Sequence, residues 1–364
     1  NIGAASDNSS ITAFAKMTHS PEEAYKNPVL HIVKSGTYRL KGTWHGQIWL
    51  DPGEDEDITI ILDGVDVSCD VAPAIVFHDV YECGPGEDDD FDASEVGDNL
   101  KENAGAKVII AAGSQNNFTG ANVYRILKAK KKNDNVTAVN GTDISSQKKL
   151  YKMDGAFYSF VSLAIGAESS TGSGGILNIT STTYEGLDSE LHMLIENGTV
   201  KVTAEDDGIN VNEDDTSVFT MNGGSLTIIA KNGDGIDSNG DVIITGGTIR
   251  VSLPGGGSNN AIDFGSENGG EALISGGNLV AAGGSSMAEN FELKGTAGSE
   301  FTLGHEKINF PLMGKYNFQN AMAAAAVGRY FGASDRQIKE ALESASTMFG
   351  RGELFKIGGI EVLC

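Results

Sequence analysis

Long apolar runs are missing from this chain of 364 residues. No stretch reaches the 18 or so consecutive apolar residues that a membrane-spanning helix needs. Cysteine is nearly absent: Cys69, Cys83 and Cys364 are the only three, too few for a disulfide framework and without zinc spacing. A Cys69–Cys83 bridge in an oxidising compartment is one reading and two buried thiols the other. Proline is scarce at 7 residues, and the 48 glycines follow no three-residue period, which excludes a proline-rich or collagen-like chain. Positive charge is also short, with 26 Lys and Arg against 50 Asp and Glu and a formal net charge of −24. Divided at residue 290, the chain has 18 basic and 42 acidic residues before the cut and 8 of each after it. The negative excess therefore belongs to the first part alone. Such a surface repels nucleic acid and anionic lipid, whose phosphates need clustered Lys and Arg, and it attracts cations. The six histidines share no metal or triad spacing, and no nucleophile elbow, P-loop or dinucleotide fingerprint occurs. The first residues, Asn1 to Ser10, are small and polar and read as the linker of an exported protein, with any leader or surface anchor upstream.

What is present is a repeat of about 22 to 30 residues. Its first half reads Glu185-Gly-Leu-Asp188, Asp207-Gly-Ile-Asn210, Asp234-Gly-Ile-Asp237 and Asn260-Ala-Ile-Asp263. Its second half reads Asn197-Gly-Thr-Val200, Gly223-Gly-Ser-Leu226, Gly246-Gly-Thr-Ile249 and Gly276-Gly-Asn-Leu279. The two anchors advance together. Flanking residues alternate apolar and polar with period two, the signature of half-buried strands. Val200/Val202 correspond to Leu226/Ile228, Ile249/Val251 and Leu279/Ala281, and Met193/Ile195 to Phe219/Met221, Val242/Ile244 and Ala272/Ile274. These columns are expected to face inward. No helical stripe occurs within a repeat, which excludes helical solenoids.

Several short strands per repeat predict an all-β chain, a right-handed parallel β-helix (solenoid), with a β-sandwich as the competing fold. The domains are an N-terminal linker or cap over 1–29, the solenoid over 30–290, and a small α/β segment of different origin over 291–364. An acidic insert, Gly84 to Asn103, and a basic one, Lys128 to Lys152, read as long mobile loops.

The turns carry the chemistry. Glu185, Asp207, Asp234 and Asn260 form one column, and Asp188, Asn210, Asp237 and Asp263 a second. Successive parallel strands lie about 4.8 Å apart. Like charges at that spacing cost about 1 kcal/mol in water and several times more where partly desolvated. A cation that takes many oxygens neutralises such columns, and calcium is that cation. Asp206, Asn212, Asn232 and Asn239 stand beside the columns and could complete its shell. The alternative is that Asp and Asn are simply good turn residues. Lys201 and Arg250 share an outward register, with Thr227 between them, and suit uronate carboxylates. Calcium beside Lys201, Lys231 or Arg250 as base is also the minimum kit of a polysaccharide lyase. Trp49 alternates outward between Ile48 and Leu50, as a sugar platform or under the N-terminal segment.

Ser35-Gly-Thr-Tyr-Arg-Leu, Ile61-Leu-Asp-Gly-Val-Asp66, Asp154-Gly-Ala-Phe-Tyr-Ser159, Tyr184-Glu-Gly-Leu-Asp188 and Gly233-Asp-Gly-Ile-Asp-Ser-Asn-Gly240 resemble the bacterial carbohydrate-binding proteins with a pectate-lyase-like β-helix. The resemblance implies calcium, an extracellular or cell-surface location, and binding of cellulose or polygalacturonate without established catalysis. A structural surface adhesin is a further alternative. Phe310-Pro-Leu-Met-Gly-Lys-Tyr-Asn-Phe-Gln-Asn-Ala-Met-Ala-Ala, with Phe331-Gly332 and Gly350-Arg351, is similar to the Mur ligases, notably the one adding D-alanyl-D-alanine. There Asn317, Asn320 and Arg351 match nucleotide-side positions. The phosphate loop of that family is absent, so no ligase activity is expected. The segment reads as fused or artefactually joined.

Overall fold

The structure, a computed structural model, describes residues 21–85, 93–129, 147–169, 174–255, 259–266, 269–282, 299–303, 306–312, 315–345, 354–357 and 360–363. The opening linker, Arg351 and Cys364 lie outside the described residues. The chain divides into two compact units, Asn1–Ala288 and Glu289–Cys364.

In the first unit each repeat supplies three strands. Glu185–Ser189, Met193–Ile195 and Thr199–Ala204 are followed by Ile209–Val211, Val218–Met221 and Ser225–Ala230, and two further trios follow the same order. The first strand of each trio joins an 8-stranded sheet that begins with Val29–Ile32, Gln47–Leu50, Ile75–Phe77 and Gly155–Ser159. The other two join a 14-stranded sheet. That sheet has two arms diverging from the long strand Ile58–Ser68. Residues 58–62 of this strand pair with Ala106–Ile110, and residues 66–68 pair with residues 117–119. Every recorded pairing in both sheets is parallel.

This arrangement corrects the right-handed parallel β-helix expected from the repeat. The described strands form two large sheets around one core rather than a closed solenoid, a sandwich-like layering whose ladders are parallel. Alternation tells which side chains point inward. It does not tell whether they face a second sheet or the inside of a coil.

The core is built from the inward columns. Ile48, Ile75, Phe157, Leu187, Ile209 and Ile236 from the smaller sheet are buried against Ile60, Val108, Val200, Leu226 and their neighbours from the larger. Phe157 packs edge-on against Phe118 at 5.2 Å between centroids. Burial ends at the last strands, where Ile274, in an inward column, is 40% exposed.

The turn between the second and third strand of each trio needs glycine. Gly198, Gly224, Gly247 and Gly277 all have positive φ, between 79° and 99°. A Cβ on Gly224 would also lie 2.3 Å from the carbonyl oxygen of Gly198 in the previous repeat. Gly224→Ala is therefore expected to cost about 2–4 kcal/mol, read by chemical denaturation, well above a typical surface substitution.

Neither insert is simply a loop. Ala93–Asn103 is a helix that covers the outer face of one arm, with Val96 and Leu100 packed on Ala164, Leu194, Val218 and Ile243. The basic insert is an antiparallel ribbon, Val123–Ala129 with Gln147–Met153. Cys69 and Cys83 are not joined in a disulfide, and burial pushes each thiol up to about 11.

His192 ties the acidic insert to the sheet. It is fully buried, its Nε2 donates to the Pro85 carbonyl at 2.8 Å, and its Nδ1 accepts from the Val218 N–H at 3.1 Å. This is the neutral tautomer, and burial pushes the imidazole down to about 4. The ordinary value is about 6.5, so the stability His192 gives is whole above that pH and is lost as pH falls towards 4. The thermal midpoint is expected to drop over that window, and His192→Gln should flatten the drop.

The second unit contains the pairs Ser299–Leu303 with Glu306–Phe310 and Leu354–Ile357 with Ile360–Leu363, both antiparallel. Its helices are Lys315–Tyr330 and Asp335–Glu343. Ser334 caps the latter in a capping box with Gln337. Its core is Leu303, Ile308, Phe310, Ala321, Ala325, Ile338 and Leu342.

Candidate functional site

One register position runs along the outer side of the 8-stranded sheet. Its occupants are His31, Trp49, Val76, Tyr158, Asp188, Asn210, Asp237 and Asp263, each directly beside the next. The neighbouring positions in each strand belong to the core, so this column faces away from it. It changes character halfway along. The first half is apolar and covered: Trp49 is fully buried among Cys69, Ala72, Val76, Val123, Met153 and Tyr158. His78 lies 4.9 Å from the Trp49 ring and Phe160 packs edge-on against His78. Trp49 therefore offers no face to a sugar, which corrects the platform reading. Asp51 holds His31 at 3.1 Å and His78 at 3.0 Å. Burial raises the Asp51 carboxyl, but the two imidazole hydrogen bonds outweigh it and hold it well below the usual range.

The second half is acidic. The corner column, Glu185, Asp207, Asp234 and Asn260, runs beside it, three residues earlier in each repeat. Glu185 is 3% exposed and Asn260 4%. The corner acids hold the next repeat: Asp207 Oδ1 accepts from the Asp234 backbone N–H at 2.5 Å, and Asp234 Oδ1 accepts from that of Asn260. Burial pushes Asp207 up to about 8, helped by the charges of Asp237, Glu185 and Asp234 and opposed by the Asp234 N–H. Asp234 is pushed up to about 6, by burial first, then by Asp263 and Asp206, against the Asn260 N–H. Carboxylates of one column thus act on those of the other, and the two columns make one electrostatic site. Asn210, 5% exposed, has its side-chain oxygen buried and receiving no hydrogen bond. Asn212 donates to Asp188 at 3.0 Å, and Asn239 donates to the Asn212 carbonyl and to Asp214, both at 2.8 Å.

Among the described residues no three His, Cys, Asp or Glu side chains gather as a metal cage. The oxygens are laid out as a ladder. In donor type, carboxylate, amide oxygen and turn carbonyl, they fit calcium, and the buried Asn210 oxygen still lacks a donor. They fit as a row that leaves part of the shell to other ligands.

The basic candidates lie elsewhere. Lys201 and Arg250 are exposed on the third strands of their trios, in the larger sheet, in register with Thr227 between them. Lys231 is engaged by Glu205. Two residues escaped the sequence reading. Asp154, 1% exposed, immediately precedes Gly155, the register partner of Glu185, so it stands beside the head of the corner column, whose own position there is held by Gly155. Its Asp-Gly dipeptide was the available signal, masked by the insert that breaks the spacing. Tyr184 is 38% exposed beside the acids; burial raises its hydroxyl, followed by the charges of Asp206, Glu185 and Asp207.

A family model described as carbohydrate-binding domain-containing protein matches residues 26–83 and 99–302, and the chain belongs to that family. The polysaccharide lyase-like protein from C. thermocellum, solved as a gadolinium derivative, is 20% identical, with a TM-score of 0.46 over 69% of this chain and 90% of that one. Over 63 residues the chain is 36% identical to the lipid II isoglutaminyl synthase (glutamine-hydrolyzing) subunit MurT of Streptococcus pneumoniae. That stretch is 17% of this chain and spans 14% of that protein's length. No described helix is long and apolar enough to cross a membrane.

The raised corner acids set a pH dependence. Asp207 is protonated in the fold up to about 8 but ordinarily ionises near 3.8, so its contribution is whole at low pH and is lost as pH rises through 8. In chelator, between about pH 6.5 and 8.5, where His192 stays neutral, thermal melts are expected to shift downward with rising pH. Asp207→Asn should remove most of that shift.

Proposed function

We propose that the first unit is a non-catalytic, calcium-dependent polysaccharide-binding module that acts at the bacterial cell surface on an acidic or plant-type glycan, cellulose or polygalacturonate. The observation that carries this reading is the register of Asp188, Asn210, Asp237 and Asp263 on adjacent parallel strands. Calcium would be held by Glu185, Asp188, Asp207, Asn210, Asp234, Asp237 and Asp263, with Asp206 and Asn239 at the margin. It would cancel the mutual repulsion of the acids and leave coordination positions for glycan oxygens. The corner and central residues orient those oxygens through the strand register, and the backbone N–H groups of Asp234 and Asn260 keep the corner carboxylates aimed. Lys201 and Arg250, about 10 Å apart across two strand spacings, form a second, exposed strip suited to carboxylates of the same chain.

Retention on insoluble cellulose or pectin tests this directly. The full chain is expected to be retained with calcium and released by chelator, with Asp237→Asn weakened several-fold and no unsaturated product appearing in the ultraviolet. Retention that ignores both chelator and Asp237→Asn would remove the calcium ladder from the account.

A further inference from the structure

The helix Ala93–Asn103 ends over a cleft of about 450 Å³. That size falls within the range of small-molecule sites, about 300–1,000 Å³. Three segments enclose it: the turn before the strand Ile58–Ser68, Tyr81, and the last turn of the helix. None of its residues belongs to the acidic columns. Its floor is fixed by backbone. The Tyr81 N–H donates to the Glu56 carbonyl at 2.9 Å, and the Ile58 N–H to the Gly105 carbonyl at 2.8 Å. A Cβ on Gly105 would overlap the Tyr81 carbonyl oxygen, so glycine is what lets the chain leave the helix this close to Tyr81.

The cleft is lined by one aromatic ring, two amides and more acid than base. Tyr81 is 43% exposed. Asn103 donates to the side-chain oxygen of Asn99 at 3.3 Å, and Asn99 donates to the Cys83 carbonyl, so the amide pair is held from inside. Asp55, Asp57 and Glu102 supply three carboxylates, and Lys107 the one cation. The Lys107 ammonium sits 3.4 Å from the Glu102 carbonyl oxygen and 3.5 Å from that of Lys101. These are among the last carbonyls of the helix, which attract a cation, so the Lys107 charge is engaged there. Among the described residues no ion pair uses Asp55, Asp57 or Glu102.

Such a lining repels an anion. Carboxylates take an ammonium group in charge-assisted hydrogen bonds. An aromatic face takes both a cation and the apolar side of a sugar ring. The free amide positions suit hydroxyls. We infer that this cleft is a second, calcium-independent binding site, for an amino sugar of the glucosamine type. Its ring lies on Tyr81, its ammonium is held by Asp55, Asp57 and Glu102, and its hydroxyls meet Asn99 and Asn103. The charge preference is opposite to that of a polyuronate, and the site does not depend on the calcium ladder.

The test titrates the full chain in chelator, at about pH 6, where a sugar amine is protonated. Salt is held at about 0.15 M, which screens diffuse attraction to an acidic protein. The probes are a glucosamine tetramer, its N-acetylated form, which keeps the rings and lacks the charge, and spermidine, which has the charge and no ring. The glucosamine tetramer is expected to bind best. Asp55→Asn/Asp57→Asn should weaken it about tenfold or more, Tyr81→Ala several-fold, and Asp237→Asn, in the acidic column, not at all. Tyr81→Ala serves alone if the double variant does not melt like the parent. A parent that fails to bind the glucosamine tetramer, or cleft variants that bind it as the parent does, overturns the site. Equal affinity for the N-acetylated tetramer overturns the ammonium assignment. Spermidine bound as tightly, with the same loss in Asp55→Asn/Asp57→Asn, overturns the sugar. Loss in Asp237→Asn moves the binding to the column and overturns the cleft. Retention on pectin in calcium should be unchanged in the cleft variants, so the module and the cleft can each fail alone.

Discussion

Parallel pairing without offset is the constraint on which this molecule turns. When each strand lies beside its equivalent in the next repeat, any residue type that recurs in the sequence becomes a continuous row in space. Apolar rows such as Ile48, Ile75, Phe157, Leu187 and Ile209 then bury themselves along the whole core. The same alignment forces Asp188, Asn210, Asp237 and Asp263 together at a spacing where charges repel. The fold cannot relax one row without breaking the other, because a slip of one residue would exchange the core and outer faces of the strand.

The outer row changes character along its length. At its start Trp49, Val76 and Tyr158 are sealed by the base of the ribbon, and Asp51 is satisfied by two histidines. Beyond Tyr158 the row turns acidic, and Asp207 and Asp234 are pushed towards the protonated form. Covered apolar residues and acidic residues therefore occupy opposite ends of one sheet. The larger sheet is treated in a similar way: a helix covers one arm, whereas the other keeps Lys201 and Arg250 exposed.

Much of this was legible in the residues. The period-two alternation located the core columns, including Val200, Val202, Met193 and Ile195, because burial on a pleated strand leaves that mark. The recurring acids located both turn columns, because the repeat aligns them. The sheet arrangement was not legible, since inward-facing residues look alike whatever they face. Nor was the covering of Trp49, which depends on Val123 and Met153 at the base of the ribbon, a contact that alternation within one strand does not encode. Glu95 and Lys101 sit at the charge-favoured ends of the helix within the acidic insert, a signal outweighed there by the run of acids preceding it. In the second unit, the cap at Ser334 is a local signal, because its partner Gln337 lies within the same helical turn.

Crystals grown in calcium and measured for anomalous scattering would test the central claim most directly. The account predicts anomalous peaks along the two columns, among Glu185, Asp188, Asp207, Asp234, Asp237 and Asp263, that vanish after soaking in chelator. Saturating calcium with no peak anywhere in those columns would contradict it.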